Sequence, residues 1–126
     1  MEEVKNTSSY EGYYNESAFW STVKTMAKKA GKQLIYLALL LYYTLMSSSV
    51  SLTDRAIIIG ALGYFIFPFD IIPDYIPFIG YTDDLSILYL AYKKVKANIN
   101  NSIRIQAKNK LGEFFGSYNS RDIDGY

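Results

Sequence analysis

The sequence predicts an all-α protein of about four helices. Three observations carry this prediction. Apolar residues recur at intervals of three and four in several segments, the apolar segment 34–46 has no charge at all, and no segment alternates between apolar and polar residues as a strand would. A chain of 126 residues is long enough for one domain with a single core.

The first predicted helix covers residues 17–30 and is amphipathic. Helical spacing places its apolar residues on one face, namely Phe19 or Trp20, Val23, Met26, Ala27 and Ala30. Lysines occupy the other face. A basic amphipathic helix can lie on an anionic membrane surface, with lipid contacts from Trp20, Lys24, Lys28, Lys29 and Lys32. The pattern fits a bundle helix with solvated lysines equally well, so both interpretations stay open.

Two apolar helices follow and form a predicted hairpin. Residues 34–46 are apolar on all sides, so this helix should be buried in protein or in lipid. Ser51 and Asp54 have the spacing of a capping box and open the next helix, which runs through residues 56–67. Pro68 and the run to Pro73 and Pro77 should end that helix, because proline lacks an amide proton and disfavours a helical residue before it.

A loop rich in proline and aspartate, residues 70–81, joins the hairpin to one long last helix. Thr82 or Asp83 caps this helix. Its apolar stripe consists of Leu85, Leu88, Tyr92, Val95, Ile99 and Ile103, although three asparagines weaken the middle. Residues 17–115 form the predicted helical domain, between a disordered lead-in (residues 1–16) and a disordered tail (residues 116–126).

Composition and charge exclude several classes of chemistry. The chain has no cysteine and no histidine, which removes disulfides, thiolate and histidine catalysis and the usual zinc sites. A net charge of +1 gives no general attraction to nucleic acid, which we do not expect as a partner. The charge is uneven, because residues 17–32 and 93–110 are basic without any acid, while the centre is acidic.

Helix length and flanking charge give opposite indications about membrane insertion. A spanning helix needs about 20 apolar residues, and both hairpin segments fall short of that, which favours a soluble core. Lysines nevertheless flank the hairpin on both sides, as expected if it entered the cytoplasmic membrane with both termini in the cytoplasm. Asp70 and Asp74 oppose insertion by about 2.5 to 3.5 kcal/mol each. From these residues alone, membrane association and a soluble cytoplasmic protein stay equally open.

The most unusual segment is YFIFPFDIIPDYIPFIGYTDDL, residues 64–85, which places Asp70, Asp74, Asp83 and Asp84 among apolar residues without a basic one. The favoured interpretation is structural, since such carboxylates cap helices and accept amide hydrogens in turns. A second is a site for Mg²⁺, Mn²⁺ or Ca²⁺, which prefer oxygen ligands and could activate a water for hydrolysis. A third is an ionisable relay inside a membrane.

The order of prolines and acids in this segment resembles the signature of the YkvA family, a small bacterial helical domain of unknown function. The matching positions are Pro68, Asp70, Ile72, Pro73, Asp74, Pro77, Gly80, Asp83 and Asp84. The upstream helices are similar as well, and the resemblance covers roughly residues 17–115. It implies a helical and commonly membrane-associated protein, and it supplies no catalytic mechanism.

These observations favour a non-enzymatic, membrane-associated protein that acts as a scaffold or modulator of a partner. Membrane lipid is the first expected partner, and another protein or a second copy of the chain is the next. One alternative is a divalent-metal-dependent, hydrolase-like enzyme that uses the four aspartates. The other is a soluble helical adaptor.

Overall fold

The computed structural model describes residues 14–28, 31–48, 50–71 and 87–116, with the backbone alone for residues 67–71. The described helices are α1 (Glu16–Ala27), α2 (Lys32–Met46), α3 (Leu52–Ile71), α4 (residues 87–95) and α5 (Asn101–Phe115), with a 3-10 turn at Lys96–Asn98. These ranges contain no strand, and the all-α prediction is confirmed.

α1 is an amphipathic helix whose apolar face lies inside the protein. Asn15 caps it by accepting a hydrogen bond from the amide of Ala18 at 2.7 Å, so the helix begins one residue before the predicted start. Phe19, Val23 and Met26 are fully buried. The apolar face of α1 is therefore used for packing within the bundle, as the second interpretation of this helix predicted.

α2 is the central helix of the bundle. Residues 35–41 have no exposed surface, because α1, α3 and α5 pack around them. Full burial of each leucine in this segment stabilises the fold by about 1.5–3 kcal/mol, which makes an apolar helix stable at this position. The hydroxyl of Thr44 is also buried, and it donates a hydrogen bond to the carbonyl of Leu40 at 2.7 Å. The charge-free segment is thus buried by protein.

α3 packs one face against α1 and α2. The predicted cap is confirmed, since Oγ of Ser51 accepts a hydrogen bond from the amide of Asp54 at 3.1 Å. The predicted end of this helix at residue 67 is four residues too early, because α3 continues through Pro68 to Ile71. Proline removes one amide donor and crowds the preceding turn, but only one turn follows it here, so the disturbance is confined to the end of the helix.

The prediction of one long last helix is also wrong. The helical backbone of α4 ends at residue 95, passes through the 3-10 turn and restarts at Asn101. Asn100 causes the restart, since its side chain accepts a hydrogen bond from the amide of Ile103 at 2.9 Å and its backbone is extended. Nδ2 of Asn98 donates to Asp54 at 2.7 Å and fixes the turn against the start of α3.

The predicted apolar stripe is nevertheless buried on both sides of the break. Leu88, Tyr92, Val95, Ile99 and Ile103 are all buried. Most of the predicted loop and most of both predicted disordered ends lie outside the described residues, so those features stay predictions. In the ranges that the structure describes, no helix combines the length and the apolar character needed to cross a membrane.

Candidate functional site

The predicted acidic site lies outside the described side chains. The backbone of Pro68 and Asp70 belongs to the last turn of α3, and the other motif positions, Ile72, Pro73, Asp74, Pro77, Gly80, Asp83 and Asp84, lie outside the described residues. Convergence of the four carboxylates on Mg²⁺, Mn²⁺ or Ca²⁺ therefore stays a prediction. Among the side chains that the structure does describe, no group of three or more Asp, Glu, His or Cys residues could hold a metal.

The predicted basic residues lie at one end of the bundle. Lys24 and Lys28 are exposed, the first in the last turn of α1 and the second just after it. Lys32 begins α2 and is half-buried, with its Nζ 5.7 Å from the ring centre of Phe115. Lys29 lies outside the described residues. Because Phe115 ends α5, the last turns of α1 and α5 and the first turn of α2 meet at this end.

Lys110 of α5 belongs to the basic run 93–110, and the sequence did not predict its contact with Trp20 of α1. The Nζ atom of Lys110 lies 5.4 Å from the ring centre of Trp20 and 3.0 Å from Oε1 of Glu113. An exposed lysine over an aromatic face is stabilised by about 0.5–1 kcal/mol. We call the surface formed by Lys24, Lys28, Lys32 and Lys110 the basic end.

Trp20 is half-buried beneath this surface and joins three helices. Its ring makes edge-on contacts with Phe19 and Tyr42, both at 4.9 Å between ring centres. It also stacks with Phe114 at 6.4 Å. Aromatic pairs of this kind contribute about 0.5–1.5 kcal/mol each beyond the burial of their area. Trp20 therefore holds α1, α2 and α5 in a fixed arrangement under the basic end.

An open cleft of about 530 Å³ lies between α1 and α5. Its described lining consists of Lys24, Thr25, Ala27, Lys28, Glu113 and Phe114, and we call it the α1–α5 cleft. Lys24 and Lys28 are four residues apart and therefore neighbours on one side of α1. Neither of them forms an ion pair with a carboxylate in the described part of the chain. The cleft thus combines two available ammonium groups with an apolar wall.

Part of this arrangement has a purely structural explanation. A helix C-terminus carries partial negative charge, and a lysine in the last turn stabilises it by about 0.3–1 kcal/mol. That explains Lys24 and Lys28 taken singly. Lys32 begins α2, and its Nζ stands over the ring of Phe115 at the end of α5, a cation–π contact that joins the two helices.

A second polar cluster lies where α1 begins. The hydroxyl of Tyr42 donates a hydrogen bond to Oε2 of Glu16 at 2.6 Å. Burial, assisted by this bond, raises the pKa of Tyr42 to about 12. Burial and the charge of Glu16 also raise the pKa of Tyr14, and burial raises the pKa of Tyr43. At neutral pH these tyrosines are protonated, so Tyr42 acts as a hydrogen-bond donor that holds α1 to α2.

Comparison with known proteins gives a family match without an activity. Residues 54–90 match a family described as "Protein of unknown function (DUF1232)". No curated protein and no solved structure matches the chain. The matched segment covers α3, the proline-aspartate motif and the first part of α4, whereas the α1–α5 cleft is formed by residues outside it. The match therefore bears on the motif and leaves the cleft to be interpreted from its own geometry.

Proposed function

We propose that this protein is a non-enzymatic helical module that attaches reversibly to an anionic membrane surface through its basic end. In this position the remainder of the bundle is free to act as a scaffold or modulator of a protein partner. The observation that carries the proposal is that Lys24 and Lys28 line one cleft between α1 and α5, with Lys110 of α5 over Trp20 of α1.

The attachment is electrostatic and does not require insertion of α1. Phe19, Val23 and Met26 are already buried in the bundle, so the apolar face of α1 contributes to the core. Each lysine close to an anionic surface contributes about 1 kcal/mol, so Lys24 and Lys28 together contribute about 2 kcal/mol. The contribution falls with salt, because charges are screened beyond about 8 Å at 0.15 M ionic strength.

Co-sedimentation with lipid vesicles tests this proposal. The full chain should bind vesicles that contain phosphatidylglycerol or phosphatidylserine, and it should not bind vesicles of phosphatidylcholine alone. The double variant Lys24→Gln/Lys28→Gln removes about 2 kcal/mol, so its partition coefficient should fall about 30-fold. Raising the salt concentration should release the wild-type protein from the vesicles.

Lys93→Gln/Lys94→Gln is the matched control. These two lysines are exposed on α4 and carry the same charge, and the turn that follows them contacts Asp54 at the start of α3, far from the basic end. This variant should keep most of the vesicle binding. An equal loss in both double variants would show that net charge, and not the basic end, governs attachment. Strong binding to neutral vesicles would refute the electrostatic mechanism.

A further inference from the structure

The α1–α5 cleft has the dimensions and the chemistry of a ligand site. Its volume of about 530 Å³ lies within the usual range for small-molecule sites, about 300–1,000 Å³. One wall, from α1, carries Lys24, Thr25 and Lys28, and the opposite wall, from α5, carries Phe114. A ligand that satisfies both walls has an anionic group next to an apolar group.

The two positive charges of the cleft favour a doubly charged anion as ligand. Lys24 and Lys28 are neighbours on one side of α1, so both ammonium groups can approach a single anionic group. Thr25 also lines the cleft, and its hydroxyl adds a hydrogen-bond donor. A phosphate monoester has a second pKa of about 6 and carries close to two negative charges at pH 7, whereas a phosphodiester or a carboxylate carries one. The charge of a phosphate monoester therefore matches the charge of the two lysines.

The acid that lines the cleft does not prevent this binding. The carboxylate of Glu113 is 3.0 Å from Nζ of Lys110, so its charge is compensated by a lysine of its own helix. The side chain of Glu113 is also mostly exposed, at 63%, and can turn toward solvent. Among the side chains of the described lining, Lys24 and Lys28 are therefore the charges without an ion-pair partner.

The apolar wall is fixed before any ligand binds. Phe114 stacks on Trp20 at 6.4 Å with an angle of 17° between the rings. Trp20 is held in turn by its contacts with Phe19 and Tyr42. A preformed wall orders few side chains on binding, which lowers the entropic cost of association. It presents an apolar surface beside the two ammonium groups.

We propose that the α1–α5 cleft binds a phosphate monoester attached to an apolar group, with Lys24, Thr25 and Lys28 on the phosphate and Phe114 against the apolar part. The ligand is either a lipid with a terminal phosphate headgroup or a soluble phosphate ester. The lipid source rests on the proposed membrane attachment, and the soluble source does not. If the ligand is a lipid, its headgroup is therefore a phosphate monoester.

The fluorescence of Trp20 provides a direct readout, since it is the only tryptophan in the chain and contacts the wall of the cleft. The full-length protein is titrated with short-chain phosphatidic acid below its micelle concentration, with short-chain phosphatidylglycerol and with glycerol 3-phosphate. Phosphatidic acid should give a saturable change and bind at least about tenfold more tightly than phosphatidylglycerol, which has one charge less. Glycerol 3-phosphate should bind more weakly than phosphatidic acid, because it has no apolar group to place against Phe114.

Two double variants separate the cleft from general charge effects. Lys24→Gln/Lys28→Gln should weaken phosphatidic acid binding at least about tenfold and abolish its preference over phosphatidylglycerol. Lys93→Gln/Lys94→Gln should leave both unchanged. Circular dichroism of each variant checks that the fold is intact. Equal affinity for the monoester and the diester, or an equal effect of the two double variants, overturns the inference.

The vesicle experiment distinguishes a failure of the selective cleft from a failure of the membrane attachment. Binding to anionic vesicles without a preference for phosphate monoesters means that the membrane attachment holds and the selective cleft fails. Saturable binding of soluble monoesters without vesicle attachment means that the cleft holds, with a soluble phosphate ester as its ligand, and the membrane attachment fails. Glycerol 3-phosphate that displaces the protein from vesicles containing phosphatidic acid would place both ligands in one site.

Discussion

Replacing Phe19 by alanine tests whether α1 belongs to the folded core. The Phe19 side chain has no exposed surface, and its ring stacks on Tyr42 at 4.8 Å with 7° between the planes. It also contacts Trp20 at 4.9 Å and Phe65 at 6.2 Å. Truncation of a buried phenylalanine to alanine costs about 3–5 kcal/mol, and the joint loss of three aromatic contacts places this site in the upper part of that range.

The assay is urea unfolding in buffer without lipid, followed by circular dichroism. A loss of this size is a large share of the total stability of a small domain, about 5–15 kcal/mol, so Phe19→Leu provides a milder second variant. Ser21→Ala is the matched control on the exposed side of α1 and should stay within about 0.5 kcal/mol of the wild type. If both Phe19 variants unfold at the same urea concentration as this control, α1 is not part of the core.

Three further predictions concern the caps, the tyrosines and the acidic motif. Asn100→Ala should cost about 1 kcal/mol in urea unfolding, because it removes the cap of α5, whereas Asn100→Asp should cost little. The pKa of Tyr42 is raised from 10.0 to about 12 in the folded protein, so its contribution to stability is complete below about pH 10 and is lost as the pH rises to 12. In Tyr42→Phe that part of the decline should be absent when unfolding is measured from pH 9 to 12. If the four motif aspartates are structural, the Tm should be the same with Mg²⁺, Mn²⁺ or Ca²⁺ as with chelator. An ion bound at 100 times its Kd would instead raise the free energy of unfolding by about 2.7 kcal/mol.

The periodicity of the sequence predicted the helices and their buried faces well. Val23 and Met26 on α1, most of the charge-free segment 34–46 and the stripe that includes Val95 and Ile103 are buried where helical spacing placed them. These features depend on local spacing and on the gain from burying apolar side chains, both of which a single sequence displays.

Helix boundaries were predicted less well, because they depend on competing local effects. The break before α5 depends on the side chain of Asn100 reaching the amide of Ile103, and the sequence showed only that asparagines weaken this region. The end of α3 was placed four residues too early, because the helix was expected to stop where the proline run begins, at Pro68. A proline near the end of a helix interrupts one hydrogen bond, and the tertiary context decides whether the last turn persists.

The basic end could be predicted only in part. Its α1 lysines were recognised from the sequence as a basic face. The contribution of α5 was missed, because no pattern in a single sequence shows which helices pack side by side. The one available signal was the spacing of Lys110, Glu113 and Phe114, which indicates a local ion pair and an apolar position but not their contact with Trp20.

The orientation of the protein on a membrane tests the central claim most directly. Amide signals of the full-length protein are recorded by NMR on anionic nanodiscs with and without a paramagnetic headgroup lipid. Attachment through the basic end predicts that the amide signals of Lys24, Thr25, Lys28 and Lys110 broaden most. Broadening centred instead on Tyr89 to Lys96, or no broadening on anionic nanodiscs, would contradict it.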